Sequence, residues 1–192
     1  MNKIHVGIDP GKNGAVVIML PIGKIEPVTF PLVGNEYDLK GLSDIFSRLI
    51  VKGIPRSQQR DIHVVLEDVH ALQKPYDSGN WSLSGCKHAV MMALTIHDIP
   101  YTLVAPKAWQ KEMWVGVPEQ REPGKTVKDK NGNDVFKPGK MKTKEMSEMA
   151  AKRLFPSFDL RDPDRKTNRA QKVHDGVVDA LLMCEYSRRK FD

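Results

Sequence analysis

Short apolar runs separated by glycine- and proline-marked turns open the chain. Three of these runs are typical of β-strands: Ile4–Ile8, Ala15–Leu20 and Lys24–Phe30. Because the turns between them are short, we expect consecutive runs to pair as antiparallel hairpins. Pro27 lies within the third run and has no N–H to donate, which predicts that this strand is at an edge of the sheet.

The pattern then changes to helices that alternate with strands. Apolar residues at helical spacing predict helices over Leu39–Lys52, Trp81–His97, Met141–Leu154 and Val173–Arg189, and two further strands are predicted over Ile62–Glu67 and Tyr101–Ala105. Pro106 begins another predicted helix, which carries Trp109 and Trp114. Strands joined by crossover helices run parallel. The sequence therefore predicts an α/β fold with a mixed five-stranded sheet, in which three antiparallel strands precede the crossover strands.

Residues 117–140 interrupt this pattern. The stretch is rich in glycine, proline and lysine, and Asn131-Gly132 is a dipeptide typical of hairpin turns. We expect an exposed, mobile, basic insertion, with a small hairpin between Val127 and Phe136. One domain over residues 1–192 accounts for the rest of the chain.

Composition narrows the class of protein. The 192 residues carry a formal charge of +6 and a pI near 9.3, which favours a polyanionic partner without requiring one. Cys86 and Cys184 are the only cysteines and both fall in predicted helices, so reduced thiols in a reducing compartment are expected. The first strand begins at residue 3 and no apolar run approaches the ~20 residues of a membrane span. We expect a soluble cytoplasmic protein with no membrane contact.

Carboxylates end two of the predicted strands. Asp9 follows the first apolar run, and Glu67 closes the strand at 62–67. If these two strands are neighbours, both side chains meet at one edge of the sheet. Acids at strand ends are also common as solvated turn residues, so either residue alone is equally consistent with that role.

The last predicted helix adds two more acids. Asp175 and Asp179 are four residues apart and therefore share one helix face with apolar neighbours. Capping of the helix start also explains Asp175, but it does not explain Asp179, which lies a full turn inside. Several carboxylates in one pocket need a counter-charge, and the hard cations Mg²⁺ or Mn²⁺ suit such a site.

These motifs, in this order and spacing, resemble the RuvC-like Holliday junction resolvases of the ribonuclease-H-like superfamily, and the phage-type members most closely. The segments that carry the resemblance are Ile8-Asp9-Pro10-Gly11, Leu66-Glu67-Asp68-Val69-His70, Ile99-Pro100-Tyr101, Trp109-Gln110-Lys111, residues 150–156 and 174–182. The resemblance covers most of the chain outside residues 117–140. The family often carries Asp-x-x-Asp in the last helix, whereas Asp175 and Asp179 are four apart here.

The resemblance implies an endonuclease that cuts four-way DNA junctions by paired phosphodiester hydrolysis. It implies two Mg²⁺ ions per site, with Mn²⁺ as a substitute, and a homodimer. Asp9 and Glu67 match the family's acids, and we expect Asp175 and Asp179 to complete the catalytic and metal-binding set. His174 is a further candidate, as a ligand or proton shuttle, beside the structural role more usual for a lone histidine.

DNA contacts are expected mainly from basic side chains. The candidates are Arg161, Arg165, Lys166, Arg169 and Lys172, which run into the acidic helix, together with Lys12 and with Tyr76 as a stacking residue. The lysines of the insertion and of the helix after it, up to Lys142 and Lys144, are weaker candidates, since a solvated loop explains the insertion at least as well.

Three alternatives compete with a junction resolvase. A related nuclease could act on flaps, other branched DNA or RNA–DNA hybrids. A non-catalytic junction-binding module could share the fold, although unneeded buried carboxylates would only destabilise it. An actin-like or sugar-kinase-type ATP-binding protein has a similar first turn, but it needs two such domains and the chain is too short. No nucleotide cofactor is therefore expected.

Overall fold

The computed structural model describes residues 3–11, 13–51, 61–69, 78–164 and 172–192. Within these ranges the side chains at 50, 51 and 78–83 are not described. Five of the predicted DNA-contacting residues lie outside the described part: Lys12, Tyr76, Arg165, Lys166 and Arg169.

The elements follow the predicted order. The strands are β1 (Ile4–Asp9), β2 (Ala15–Met19), β3 (Ile25–Thr29), β4 (Leu32–Val33), β5 (Glu36–Tyr37), β6 (Ile62–Glu67), β7 (Tyr101–Val104), β8 (Lys125–Lys128) and β9 (Asp134–Lys137). The helices are α1 (Leu39–Val51), α2 (Ser78–Ile96), α3 (Pro106–Met113), α4 (Thr143–Leu154) and α5 (Asp175–Phe191).

Five strands form the central sheet in the order β3-β2-β1-β6-β7. β1, β2 and β3 pair antiparallel, whereas β1, β6 and β7 pair parallel. This is the mixed sheet of a ribonuclease-H-like fold, as the sequence predicts. β3 lies at the edge, which confirms the position inferred from Pro27.

Three local features differ from the sequence-based expectation. The hairpin of β4 and β5 was not predicted, because strands of two residues are too short to show a pattern; Gly34 makes its turn at φ +64°. α3 ends at Met113, so Trp114 caps this helix instead of lying within it. The last helix begins at Asp175, two residues later than predicted, and continues to Phe191.

Helices cover both faces of the sheet. Leu42, Phe46 and Val90 belong to the core between the sheet and the α1–α2 layer. The opposite core lies under α3, α4 and α5 and contains Trp109 and Leu181. Because successive strand residues face opposite sides, Ile8 and Leu66 enter the first core, and the next residues, Asp9 and Glu67, face the α5 side.

Helix α5 lies directly on the central strand β1. A Cβ added at Gly7 would come within 2.1 Å of the Ala180 carbonyl oxygen and 2.3 Å of the Cys184 nitrogen. The far end of α5 is also held, because His5 hydrogen bonds to Ser187 and to Asp192, at 3.2 Å each. Helix and strand therefore approach more closely here than any side chain at position 7 would allow.

We expect Gly7→Ala to lower the free energy of unfolding by about 2–3 kcal/mol, because the added methyl group forces α5 off the strand. Urea denaturation followed by far-UV circular dichroism measures this change. Gly85→Ala on α2 is the matched control, since its added Cβ would meet no described atom within 4 Å beyond its chain neighbours and the adjacent backbone of α2. Equal stability of the two variants would show that α5 does not depend on this close approach.

Both cysteines lie in helices, as predicted, Cys86 in α2 and Cys184 in α5; both are free and both are buried. The described part of the chain contains no helix with the length and apolar character needed to span a membrane.

Candidate active site

The carboxyl ends of two neighbouring strands bring Asp9 and Glu67 together. β1 and β6 pair in parallel with Ile8 opposite Leu66, so the next residue of each strand is an acid at the same edge of the sheet. β1 and β6 are therefore neighbours, which is the condition for Asp9 and Glu67 to meet. Glu67 is only 8% exposed.

The first turns of α5 place two more acids beside them. Gly176 packs against the turn after β1, where an added Cβ would lie 2.0 Å from the Asn13 carbonyl oxygen. Asp175 lies one residue before Gly176, and Asp179 lies three residues after it. A larger residue at position 176 would hold both acids away from the end of β1.

His174 caps helix α5. Its Nδ1 accepts a hydrogen bond from the Val177 N–H at 3.2 Å. A neutral imidazole that accepts at Nδ1 carries its proton on Nε2, which then has no lone pair for a metal. This arrangement favours the structural role over ligation, and it leaves Asp175 in the first turn instead of at the cap.

Burial and the charges of neighbouring acids raise the pKa of Asp9 and of Asp179. Burial, followed by the charges of Glu67, Asp179 and Asp175, raises the pKa of Asp9 well above its usual value. Burial raises the pKa of Asp179 to about 7, against the hydrogen bond from Ser147. Burial also raises the pKa of Glu67. The carboxylates thus act on each other as one cluster, drawn from β1, β6 and α5.

Three neighbouring side chains hold the cluster. The Trp109 indole N–H donates to Glu67 Oε1 at 2.9 Å, and the Ser147 hydroxyl donates to Asp179. The Lys144 ammonium forms an ion pair with Asp175. Each of these partners comes from α3 or α4, so the helices that follow the sheet orient the acids.

The family resemblance implies that this site cleaves DNA junctions. On that basis we expect Trp109→Phe to lower the cleavage rate roughly tenfold and to move the pH–rate profile to higher pH, because Glu67 loses the donor that favours its ionised form. The measurement is cleavage rate against pH at a temperature where the variant is folded. Trp114→Phe is the matched control: the two rings are 6.4 Å apart, and the buried Trp114 Nε1 has no partner among the described residues. Identical pH profiles for the two variants would reduce Trp109 to a packing residue.

The donor set is chemically suited to a hard divalent cation. Asp179 Oδ1 is buried and finds no hydrogen-bond partner among the described residues, which is costly for a carboxylate oxygen. The described side chains do not, however, include a group of three or more His, Cys, Asp or Glu residues already arranged to hold a metal ion. Two of the four acids already have partners, since Trp109 donates a hydrogen bond to Glu67 and Lys144 pairs with Asp175. The residues fit a metal ion by their chemistry, without a preformed cage.

Of the predicted DNA-contacting residues, the structure describes Arg161 and Lys172. The Arg161 guanidinium hydrogen bonds to both oxygens of Asp159, at 2.8 and 2.7 Å, so a phosphate would have to compete for it. Lys172 is exposed, two residues before the cap of α5. The position of Lys172 suits the predicted phosphate contact better than that of Arg161.

The sequence pattern gives no site role to Trp109 or Ser147, and it makes Lys144 a candidate only for DNA contact. Trp109 lies in one of the segments that carry the family resemblance, which is the only signal for it in the sequence.

Near Glu67, the buried Lys87 of α2 forms an ion pair with Asp68 and anchors the segment after β6. Nothing in the local sequence connects positions 68 and 87.

Comparisons with known proteins give structural matches alone. No protein-family model and no curated protein matches the chain. The structure of RuvC from Thermus thermophilus matches at a TM-score of 0.45 and 16% identity, over 97% of this chain and 96% of that one. The same protein in complex with a Holliday junction substrate matches at 0.48 and 14%, over 97% and 95%. At TM-scores below 0.5 the fold class rests on the strand order of this chain.

Strand order and site together define an α/β protein of the ribonuclease-H-like fold with a carboxylate cluster at one edge of its sheet.

Proposed function

We propose that this protein is a metal-dependent endonuclease that cuts branched DNA, with four-way junctions as its main substrate. The observation that carries the proposal is the cluster of Asp9, Glu67, Asp175 and Asp179, with a buried Asp179 oxygen that lacks a partner among the described residues. Such a cluster destabilises a folded protein unless a cation neutralises it.

Asp9, Glu67, Asp175 and Asp179 are the residues that would hold Mg²⁺ or Mn²⁺, in two ions per site. Such ions, when bound, activate a water molecule and stabilise the leaving oxygen of a phosphodiester. The chain itself positions the acids: Trp109 orients Glu67, and the Ser147 hydroxyl orients Asp179. Lys144 is a cation beside the cluster, where it can also contact a phosphate of the bound strand.

Four-way DNA is favoured as the substrate because the chain is basic and resembles a junction-cutting family. The Thermus thermophilus protein of similar architecture has been seen with a Holliday junction.

Paired cuts need two sites, and we propose a homodimer formed through α2, on which Met92 and Ile96 are 61% and 65% exposed. The other face of α2, with Val90 and Leu94, packs in the core.

The test is a panel of labelled substrates: a four-way junction, a flap, an RNA–DNA hybrid and linear duplex, each with Mg²⁺, Mn²⁺ or EDTA. We expect symmetric paired nicks on the junction that disappear in EDTA. Preference for the flap or hybrid would keep a metal-dependent nuclease and replace its substrate. Tight junction binding without cleavage in either metal would overturn the enzymatic proposal in favour of a binding module.

A further inference from the structure

Between α3 and α4 a two-stranded ribbon, residues 120–142, extends from the domain. β8 and β9 pair antiparallel, and the ladder continues to the base through the bridge of Arg121 with Met141 and the hydrogen bond from the Lys142 N–H to the Gln120 oxygen at 2.9 Å. This confirms the small hairpin predicted in the insertion. Nearly every side chain from position 121 to 138 is exposed.

The ribbon has a definite shape. Asp129 accepts hydrogen bonds from the N–H groups of Asn131 and Asn133, at 2.8 and 2.9 Å, and closes the turn with Gly132 at φ +85°. At its base, an added Cβ on Gly139 would lie 1.9 Å from the Glu122 carbonyl oxygen, so the two strands are in close contact. Hairpins without a packed face are marginal in water, so this ordered exposure needs a reason.

Its two faces carry different chemistry. Lys125 lies directly opposite Lys137, an unfavourable pairing of like charges that a bound anion would relieve. On the other face Lys128 is opposite Asp134, which balances the charge, and Phe136 is 66% exposed. The Phe136 ring lies over Gly124, where an added Cβ would come within 2.2 Å of it. One face, called the cationic face here, therefore carries two lysines beside Val127 and Val135 and no acid among its paired residues, and the other presents a supported aromatic ring.

The base of the ribbon adjoins the acid cluster. Met141 closes the ribbon, and three residues later Lys144 forms its ion pair with Asp175. From Met141 to Phe136 the ribbon extends roughly 17 Å at about 3.3 Å per residue. A DNA strand bound at the acid cluster would therefore lie within reach of the ribbon.

We propose that this ribbon is a DNA-binding arm inserted at the branch point of the substrate. Its cationic face lies on the phosphates of one duplex arm through Lys125 and Lys137, and Phe136 stacks on a base left unstacked at the branch. The inference rests on the proposed function and goes further, because it assigns recognition of the branch to the ribbon. A solvated loop would need neither the opposed lysines nor the exposed ring.

The test is fluorescence anisotropy of a labelled four-way junction and of linear duplex, over a series of salt concentrations with EDTA present, so that binding is separated from cleavage. Lys125→Gln/Lys137→Gln should weaken binding to both DNAs roughly tenfold at 0.15 M salt and reduce the salt slope by about 1.8. The control is Lys24→Gln/Lys190→Gln, which removes the same charge at the end of the sheet and of α5 away from the acids.

Phe136→Ala should weaken junction binding roughly tenfold and leave duplex binding unchanged, since stacking needs an unpaired base. Ile22→Ala is its control, because Ile22 is an apolar residue 84% exposed in the turn between β2 and β3, outside the ribbon. Thermal unfolding checks that each variant is folded. If the wild-type protein cuts junctions while the ribbon variants bind them like their controls, the ribbon proposal alone is overturned. A wild-type protein that neither prefers nor cuts branched DNA overturns the proposed function.

Discussion

We expect the Asp9→Asn protein to bind a four-way junction as tightly as the unaltered protein and to cut it at least on the order of a thousandfold more slowly. Asparagine keeps the shape of the side chain but removes the negative charge that a divalent cation needs, and several kcal/mol of transition-state stabilisation go with it. Asp9 is the member of the cluster on which all three other acids act, so its loss disturbs every partner. Single-turnover cleavage and anisotropy measure the two quantities separately.

Glu67→Gln and Asp179→Asn should behave in the same way, because each replaces one proposed ligand and no proposed phosphate contact. The control is Asp98→Asn, an exposed acid at φ +53°, a conformation that asparagine tolerates well. This variant should cut at the normal rate. A substitution in the cluster that leaves the cleavage rate intact would remove that residue from the site.

The second large effect concerns stability without metal. The Asp179 carboxyl has a pKa of about 7 in the folded protein against 3.8 as its ordinary value. A raised pKa means that the folded state holds the proton more tightly, so the contribution of Asp179 to the free energy of unfolding falls as pH rises from about 4 to about 7. The difference corresponds to roughly 4 kcal/mol at pH 7 and above. Asp179→Asn removes this loss, and we expect the metal-free variant to be more stable than the unaltered protein by that order.

Thermal unfolding between pH 4 and pH 8 in EDTA measures this difference. We expect the variant to show a weaker decline with pH, with Asp9 supplying what remains, and Asp98→Asn to follow the unaltered protein. Added Mg²⁺ or Mn²⁺ should raise the unfolding temperature of the unaltered protein at pH 7.5 more than that of Asp179→Asn. Equal stability of the two metal-free proteins at pH 8 would contradict the destabilising role of the cluster.

The sequence is a good guide to the acids because their signal is local. Asp9 and Glu67 each end a strongly apolar strand, and Asp179 lies within a helix that is apolar on most sides, so burial can be inferred for each position separately. Their convergence additionally needs β1 and β6 to be neighbours, which the sequence pattern leaves open and the structure contains.

The residues that hold the acids are beyond this kind of reasoning. Trp109 contacts Glu67 across 42 positions of the chain, and Lys144 contacts Asp175 across 31. Such contacts depend on how α3 and α4 pack on α5, and the periodicity of one helix carries no information about its neighbours' orientation. The separate faces of the ribbon also required the register, in which Lys125 pairs with Lys137.

The close approach of α5 to β1 at Gly7 determines which part of the molecule can open. A helix seated on the central strand and held at its far end by His5 cannot detach alone without exposing the core formed by Leu181 and Leu182. We therefore expect amide protons in the middle of α5 to exchange with solvent only when the whole domain unfolds, and those of the exposed β8–β9 ribbon to exchange through local opening. Asp179 belongs to the most cooperative unit of the fold, and Phe136 to one that can adapt to its partner.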